Sequence, residues 1–173
     1  MDMIRTRFFL LLPLVAVIAT GCGAKQGGST HPAHGVVVGQ PAPPIALKDT
    51  DGKTVTLAQF RGQPVFINAF ATWCPPCKQE LPGLVKSYPE YKGKVVFLGI
   101  DEQEDAELVL PFLKRFGIVY QVALDPGSFA DTYEVSSLPA SFFIDKDGIV
   151  RKVYRGFMTP DAFKDNIATI YKG

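Results

Sequence analysis

Cysteine and histidine are scarce in this chain, with three and two among 173 residues. A structural zinc site takes four such ligands, and besides Cys74 and Cys77 the only candidates are Cys22, His31 and His34, all upstream of the region that reads as folded. No metal site is expected. Neither sign of charge dominates: 18 Lys and Arg stand against 17 Asp and Glu, which leaves no basic face for nucleic acid and no acidic tail. Partner recognition must then be local. The N-terminal apolar run, Phe8 to Thr20, is thirteen residues, about 20 Å of helix against the ~30 Å of a bilayer core. The length supports one domain of ordinary size.

What precedes and follows that run gives it a meaning. Arg5 and Arg7 stand before it and Thr20-Gly21-Cys22 after it, the charge, apolar and small-residue order of a secretory signal. Ala19-Thr20-Gly21-Cys22 also resembles a bacterial lipobox with Ala19 where leucine is usual, in which Cys22 would carry the lipid. The alternative is an uncleaved anchor. Both readings place the rest of the chain outside the cytoplasm and allow a tether to the cell membrane, with a soluble secreted form as the other outcome, and the lipobox accounts for the odd cysteine. Residues 1–22 are thus read as signal and lipobox or anchor, 23–36 as a flexible linker carrying His31 and His34, and 37–173 as the folded domain.

The domain is organised around Phe70-Ala71-Thr72-Trp73-Cys74-Pro75-Pro76-Cys77-Lys78-Gln79-Glu80-Leu81-Pro82. An apolar run ends there, two cysteines follow at C-x-x-C spacing, and a helical pattern begins. Two such thiols can close a small disulfide ring, with the first sulfur where free backbone N–H groups and the helix dipole favour a thiolate. That is a redox signature. Cys74 is expected to be the exposed nucleophile and Cys77, one turn further in, the shielded resolving thiol. Pro75 and Pro76 have no N–H, which withdraws two donors from the Cys74 sulfur and points to a reducing poise; a plainer reading is that proline suits a first helical turn. Glu80 lies three residues after Cys77 on the same helix face, where it either takes the Cys77 proton or is a solvated acid near a helix start. Trp73 reads as a shield and substrate contact or as a lid on the core. Lys78 reads as a solvated lysine.

Around this stretch the pattern alternates strands with helices. Ile45-Ala46-Leu47 and Val55-Thr56-Leu57 flank an Asp51-Gly52 turn, a hairpin, and Leu57 to Arg61 is a helical turn. Val65 to Phe70 is apolar on both faces except for Asn68, as in a central strand covered by helices. The helix after Cys74 carries Leu81, Leu84, Val85 and Tyr88 inward, with a kink expected at Pro82. Val95 to Ile100 is a second two-faced strand. Ala106 to Phe116 is an amphipathic helix with Leu110, Leu113 and Phe116 inward and Gly117 as its cap. Tyr120 to Leu124 is strand or loop, and Phe129 to Tyr133 a short helix. Ser141 to Ile144 and Ile149 to Tyr154 form a hairpin about Asp147-Gly148, and Thr159-Pro160-Asp161 opens a closing helix. Asp101, Asp125 and Asp131 mark strand and turn ends without a chemical role.

These residues resemble the thioredoxin superfamily and, within it, the membrane-tethered TlpA and ResA type of extracytoplasmic thiol–disulfide oxidoreductase. The parts that carry the resemblance are Trp73-Cys74-Pro75-Pro76-Cys77-Lys78, Pro82, Leu138-Pro139 before Phe142-Phe143-Ile144, and the N-terminal hairpin. The resemblance implies an α/β fold, a thioredoxin-like three-layer arrangement with a mixed central sheet flanked by helices, an extra N-terminal β-hairpin and an internal insertion. It implies that Cys74, Cys77 and Glu80 are catalytic, that Pro139 is a cis-proline facing the disulfide, and that Trp73, Pro75, Pro76, Leu138 and Pro139 meet substrate. Cytoplasmic thioredoxins carry an Asp at the position of Asn68, which cannot exchange a proton.

The implied activity is reduction of protein disulfides by a monomer with no cofactor beyond the Cys74–Cys77 dithiol. Its implied partners are protein disulfides, apocytochrome c among them, and an integral-membrane thiol donor of electrons. A disulfide-forming oxidase or isomerase on the same fold is the main alternative. A copper chaperone would need wider cysteine spacing and a histidine in the folded domain. A thiol peroxidase resembles Pro-x-x-x-Thr-x-x-Cys, where this chain has Ile67 and Ala71 before Cys74.

Overall fold

The computed structural model describes residues 35–172, so the Cys22 lipobox, His31, His34 and the expected membrane tether lie outside the described residues. Among the described residues no helix is long and apolar enough to cross a membrane.

Seven strands form one mixed sheet. They are β1 (Ala46–Asp49), β2 (Thr54–Thr56), β3 (Val65–Phe70), β4 (Val96–Glu102), β5 (Gln121–Asp125), β6 (Ala140–Ile144) and β7 (Val150–Arg155). Their order is β2-β1-β5-β4-β3-β6-β7. The parallel centre β3, β4 and β5 is flanked by antiparallel strands, β1 and β2 on one side and β6 and β7 on the other. The expected N-terminal hairpin is therefore an edge of the main sheet, with Lys48 opposite Leu124. Gly52, at φ 79°, makes the turn that the Asp-Gly pair predicts.

Every residue of β3 is buried, and strand alternation sends its side chains to two separate cores. Phe66 and Phe70 pack with Phe97, Val122 and Phe143 against helices α1 (Pro75–Tyr91), α2 (Ala106–Phe116) and α4 (Pro160–Ile167). Ile67 and Ala69 face the other way, with Leu98, Ile100 and Phe142, toward Phe129 and Tyr133 of α3 (Ser128–Tyr133). Asn68, between Phe66 and Phe70 in the alternation, must point into the first core.

α1 runs unbroken through Pro82 and Pro89. Both rings lie on its exposed face, so the carbonyls deprived of a helical N–H partner can turn to water. In α2 the inward residues are Val109, Phe112 and Leu113, with Phe116 half-buried; Leu110 is 48% exposed, contrary to the expected face. Residues 109, 112, 113 and 116 complete the i, i+3, i+4, i+7 set of a helical stripe, which 110, 113 and 116 do not. Gly117, in the left-handed region at φ 68°, caps α2 as its sequence suggested.

Candidate active site

β3 ends at Phe70, and four residues later Cys74 is the N-cap of α1. Cys74 and Cys77 form a disulfide with S–S 2.04 Å. The Cys74 sulfur accepts a hydrogen bond from the Cys77 N–H at 3.2 Å. Pro75 and Pro76 occupy the first two helical positions and donate nothing, so one amide remains where a helix start ordinarily offers more.

The expected exposure of Cys74 is not observed: Cys74 is 2% and Cys77 1% exposed, both within the α1-side core. In the closed ring the first sulfur is turned back toward the Cys77 N–H and away from solvent. Trp73, beside it, is 65% exposed and is no lid on the core. Pro75 and Lys78 are exposed and Pro76 half-buried.

Glu80 is not a solvated acid. It is 3% exposed, with Oε1 accepting from Asn68 Nδ2 at 2.8 Å and Oε2 from the Met158 N–H at 2.6 Å. Asn68 Nδ2 also donates to Ser141 Oγ at 3.1 Å. Burial raises the Glu80 carboxyl to about 7, although the Met158 and Asn68 donors pull the other way. A carboxyl that titrates near neutrality, one turn along the helix from Cys77, is suited to exchange protons with it.

Leu138-Pro139 is a cis peptide bond. Ala140, the next residue, pairs with Ala69 of β3, which sets Pro139 at the end of the sheet where the cysteine loop leaves. The Pro139 carbonyl accepts from the Gly156 N–H at 2.8 Å, so the segment Gly156 to Met158 is fastened at one end to the cis-proline and at the other to Glu80. Pro139 is buried and Leu138 half-buried.

Three features of this region went unread in the sequence. Met158 acts through its backbone, which leaves no side-chain signature. Glu104 accepts from the Thr72 N–H at 2.5 Å and from Thr72 Oγ1 at 2.6 Å, tethering the turn that carries Trp73 and Cys74. Asp101, near the end of β4, is wholly buried and pushed up to about 8, first by burial and then by the Glu104 carboxyl. Asp125 also marks a strand end: it accepts from the Phe129 and Ala130 N–H groups and from Ser128 Oγ, at the start of α3. Asp131 is exposed.

A cavity of about 400 Å³ lined by Pro41, Leu57, Phe60, Val65, Ile144 and Lys146 among others lies at the opposite end of β3 from the cysteines. It takes no part in this chemistry. Among the described residues no group of His, Cys, Asp and Glu could hold a metal ion.

A disulfide at a helix start, with a buried acid one turn further along and a thioredoxin-like sheet behind it, is an arrangement for thiol–disulfide exchange. The class is thus that of the thioredoxin-fold thiol–disulfide oxidoreductases. The chain belongs to the AhpC/TSA family, whose model matches residues 38–153, and it groups there with thiol–disulfide oxidoreductases named ResA. It is 37% identical to the ResA of Bacillus cereus (strain ATCC 10987 / NRS 248) over 168 residues, 96% of each chain. It is 36% identical to that of Bacillus subtilis (strain 168) over 137 residues, 78% of this chain and 76% of the other. Among solved structures, one from Chlorobium tepidum described as a thiol:disulfide interchange protein DsbE superposes with TM-score 0.72 at 28% identity, covering 79% of this chain and 99% of that one. StoA from Bacillus subtilis superposes with TM-score 0.62 at 25% identity, covering 73% and 97%.

Proposed function

We propose that this oxidoreductase works as an extracytoplasmic reductant of protein disulfides. Cys74 is the attacking thiol, Cys77 the resolving thiol and Glu80 the proton acceptor. The observation that carries the reading is the Glu80 carboxyl, sealed from solvent one turn beyond Cys77 and raised to about 7. The Cys74 thiolate attacks one sulfur of a substrate disulfide, forming a mixed disulfide and expelling one substrate thiolate. Cys77 passes its proton to Glu80, and its thiolate attacks the Cys74 sulfur. The second substrate thiolate leaves, the Cys74–Cys77 disulfide forms, and the substrate has gained two electrons. The departing thiolates take protons from water and from Glu80.

The paired prolines support the reductive direction. With one amide left on the Cys74 sulfur, the thiolate is less stabilised and the disulfide form relatively favoured, which lowers the reduction potential. Trp73, Pro75, Pro76, Leu138 and Pro139 are the substrate-contacting residues in this reading, and no cofactor beyond the dithiol is required. Recharging falls to an integral-membrane thiol carrier. Apocytochrome c, with its C-x-x-C-H segment, is the proposed substrate, and a monomer tethered through Cys22 the proposed form.

The deciding experiment is a redox titration against thiol buffers read by Trp73 fluorescence, which the exposure of that indole near the disulfide makes practical. A potential near the ~−270 mV of thioredoxin is expected; one toward the ~−120 mV of a strong oxidant would turn the proposal into disulfide formation.

A further inference from the structure

Asp101 is the next-to-last residue of β4 and is paired in register with Phe70, the last residue of β3 before the cysteine loop. On the alternation of β4 it points to the same face as Phe97, the face of α1 and α2. It has no exposure, and neither carboxylate oxygen makes a well-formed hydrogen bond among the described residues, although Glu104 lies close enough to act on it, its N–H pulling the Asp101 pKa down and its carboxyl pushing it up. A buried acid in that condition is costly as an anion and far less so as a neutral carboxyl. The charged groups that act on it are Glu104 and, from the neighbouring strand position, Glu102; no cation is among them. Glu102 itself faces the α3 side and is also buried, with Oε1 unpartnered.

Glu104, three residues on, spends both oxygens on Thr72, one on the N–H and one on the hydroxyl. Thr72 is two residues before Cys74, so this clasp sets where the nucleophile's turn begins. Bonds of this kind are strongest when the acceptor is ionised. A second anion formed behind this clasp would repel the Glu104 oxygens in a water-poor place.

We propose that Asp101 is a positioning residue for the dithiol: neutral behind Glu104, it leaves the Glu104 clasp on Thr72 undisturbed, and its ionisation loosens the turn that carries Trp73 and Cys74. The proposal concerns alignment for exchange in either direction and does not depend on Glu80 accepting the Cys77 proton. The value of about 8 for Asp101 places the loosening at mildly alkaline pH.

The oxidised full-length protein allows a clean test, because its disulfide cysteines do not titrate. The backbone amide shift of Thr72 is followed by NMR from pH 5.5 to 9.5. A titration step near pH 8 is expected in the native protein, absent in Asp101→Asn, whose amide has the same shape and cannot ionise. The Glu80 step near 7 is expected to survive in both at Met158. In the reduced protein, the rate of exchange with a disulfide probe is expected to be similar for native and Asp101→Asn at pH 6.5. By pH 9 it should be higher in the variant by roughly tenfold, the factor one charge-assisted hydrogen bond carries. Absence of a Thr72 step near 8 in the native protein would overturn the proposal without any variant. Persistence of the step in Asp101→Asn would overturn it as well. Loss of the Glu80 step with the Thr72 step intact would instead fault only the proton-acceptor role.

Discussion

Glu80→Gln separates the proton chemistry of the site from its packing. In the native fold the Glu80 carboxyl keeps its proton to about 7, against 4.5 for an exposed glutamate. Between those values the folded protein holds a proton that the unfolded chain has released, so stability falls as pH rises through the window and stays low above it. At ~1.4 kcal/mol per pH unit the cost is about 3 kcal/mol on the alkaline side. Glutamine removes the ionisable group and leaves the volume. Its oxygen can accept the Met158 N–H while its amide faces Asn68, whose side chain can turn over to accept from both the glutamine and Ser141. The fold is therefore expected to survive. Urea unfolding of the oxidised protein should show the variant gaining about 3 kcal/mol relative to the native chain between pH 4 and pH 8.5. At an m-value of ~2 kcal/mol/M this is a midpoint shift of about 1.5 M. Exchange activity should fall while stability rises. A stability difference that stays flat with pH would mean that Glu80 titrates alike folded and unfolded, and the mechanism built on it would be refuted.

Cys77→Ser should trap substrate on Cys74 as a mixed disulfide visible on non-reducing gels, whereas Cys74→Ser should abolish reduction; a trap through Cys74→Ser instead would exchange the two roles. Gly99→Ala should cost roughly 1–3 kcal/mol, since a Cβ there would lie 2.9 Å from Val122 Cγ2 and 3.1 Å from a Phe70 ring carbon; a urea midpoint equal to the native one would contradict this. Asp49 contributes on the acid side, as Asp145 does: burial raises its carboxyl, but the N–H groups of Lys53 and Asp51 and the Gln121 amide outweigh it and hold the acid below its usual 3.8. Asp49→Ala should cost ~2 kcal/mol at pH 7. That deficit should shrink as the native protein is titrated below pH 3.8 and loses the same contribution, a convergence that acid unfolding curves would reveal or deny.

The parts of this molecule that obey a period were legible without coordinates. The all-apolar β3 and β4 read as central strands, the Asp-Gly pairs marked two hairpins, and the C-x-x-C fixed the start of α1. What escaped were relations across the sheet. Alternation along β3 puts Asn68 on the α1 face, and helical spacing puts Glu80 on the buried side of α1, yet only tertiary packing brings Nδ2 and Oε1 to 2.8 Å. The inward face of α2 was misjudged because its apolar arc is wider than the stripe that packs, with Leu108 and Leu110 left exposed. Exposure of Cys74 was inferred from chain position, whereas the closed disulfide turns its sulfur inward.

The burial of Asp101 escaped for the same reason. An acid at a strand end reads as a turn marker when its surroundings are unknown. Here the ends of β3 and β4 lie side by side, and the loop from β3 carries Trp73 and Cys74. On one face of these neighbouring strands the protein buries two carboxyls raised to about 7 and about 8, Glu80 and Asp101. Each lowers stability as pH rises through its own window, so neither is explained by stabilising the fold. A chain that only had to fold would gain by replacing both with neutral residues. Their placement on either side of the cysteine turn, one along the helix behind Cys77 and the other behind the Glu104 clasp on Thr72, is what the proposed proton transfer and alignment would require.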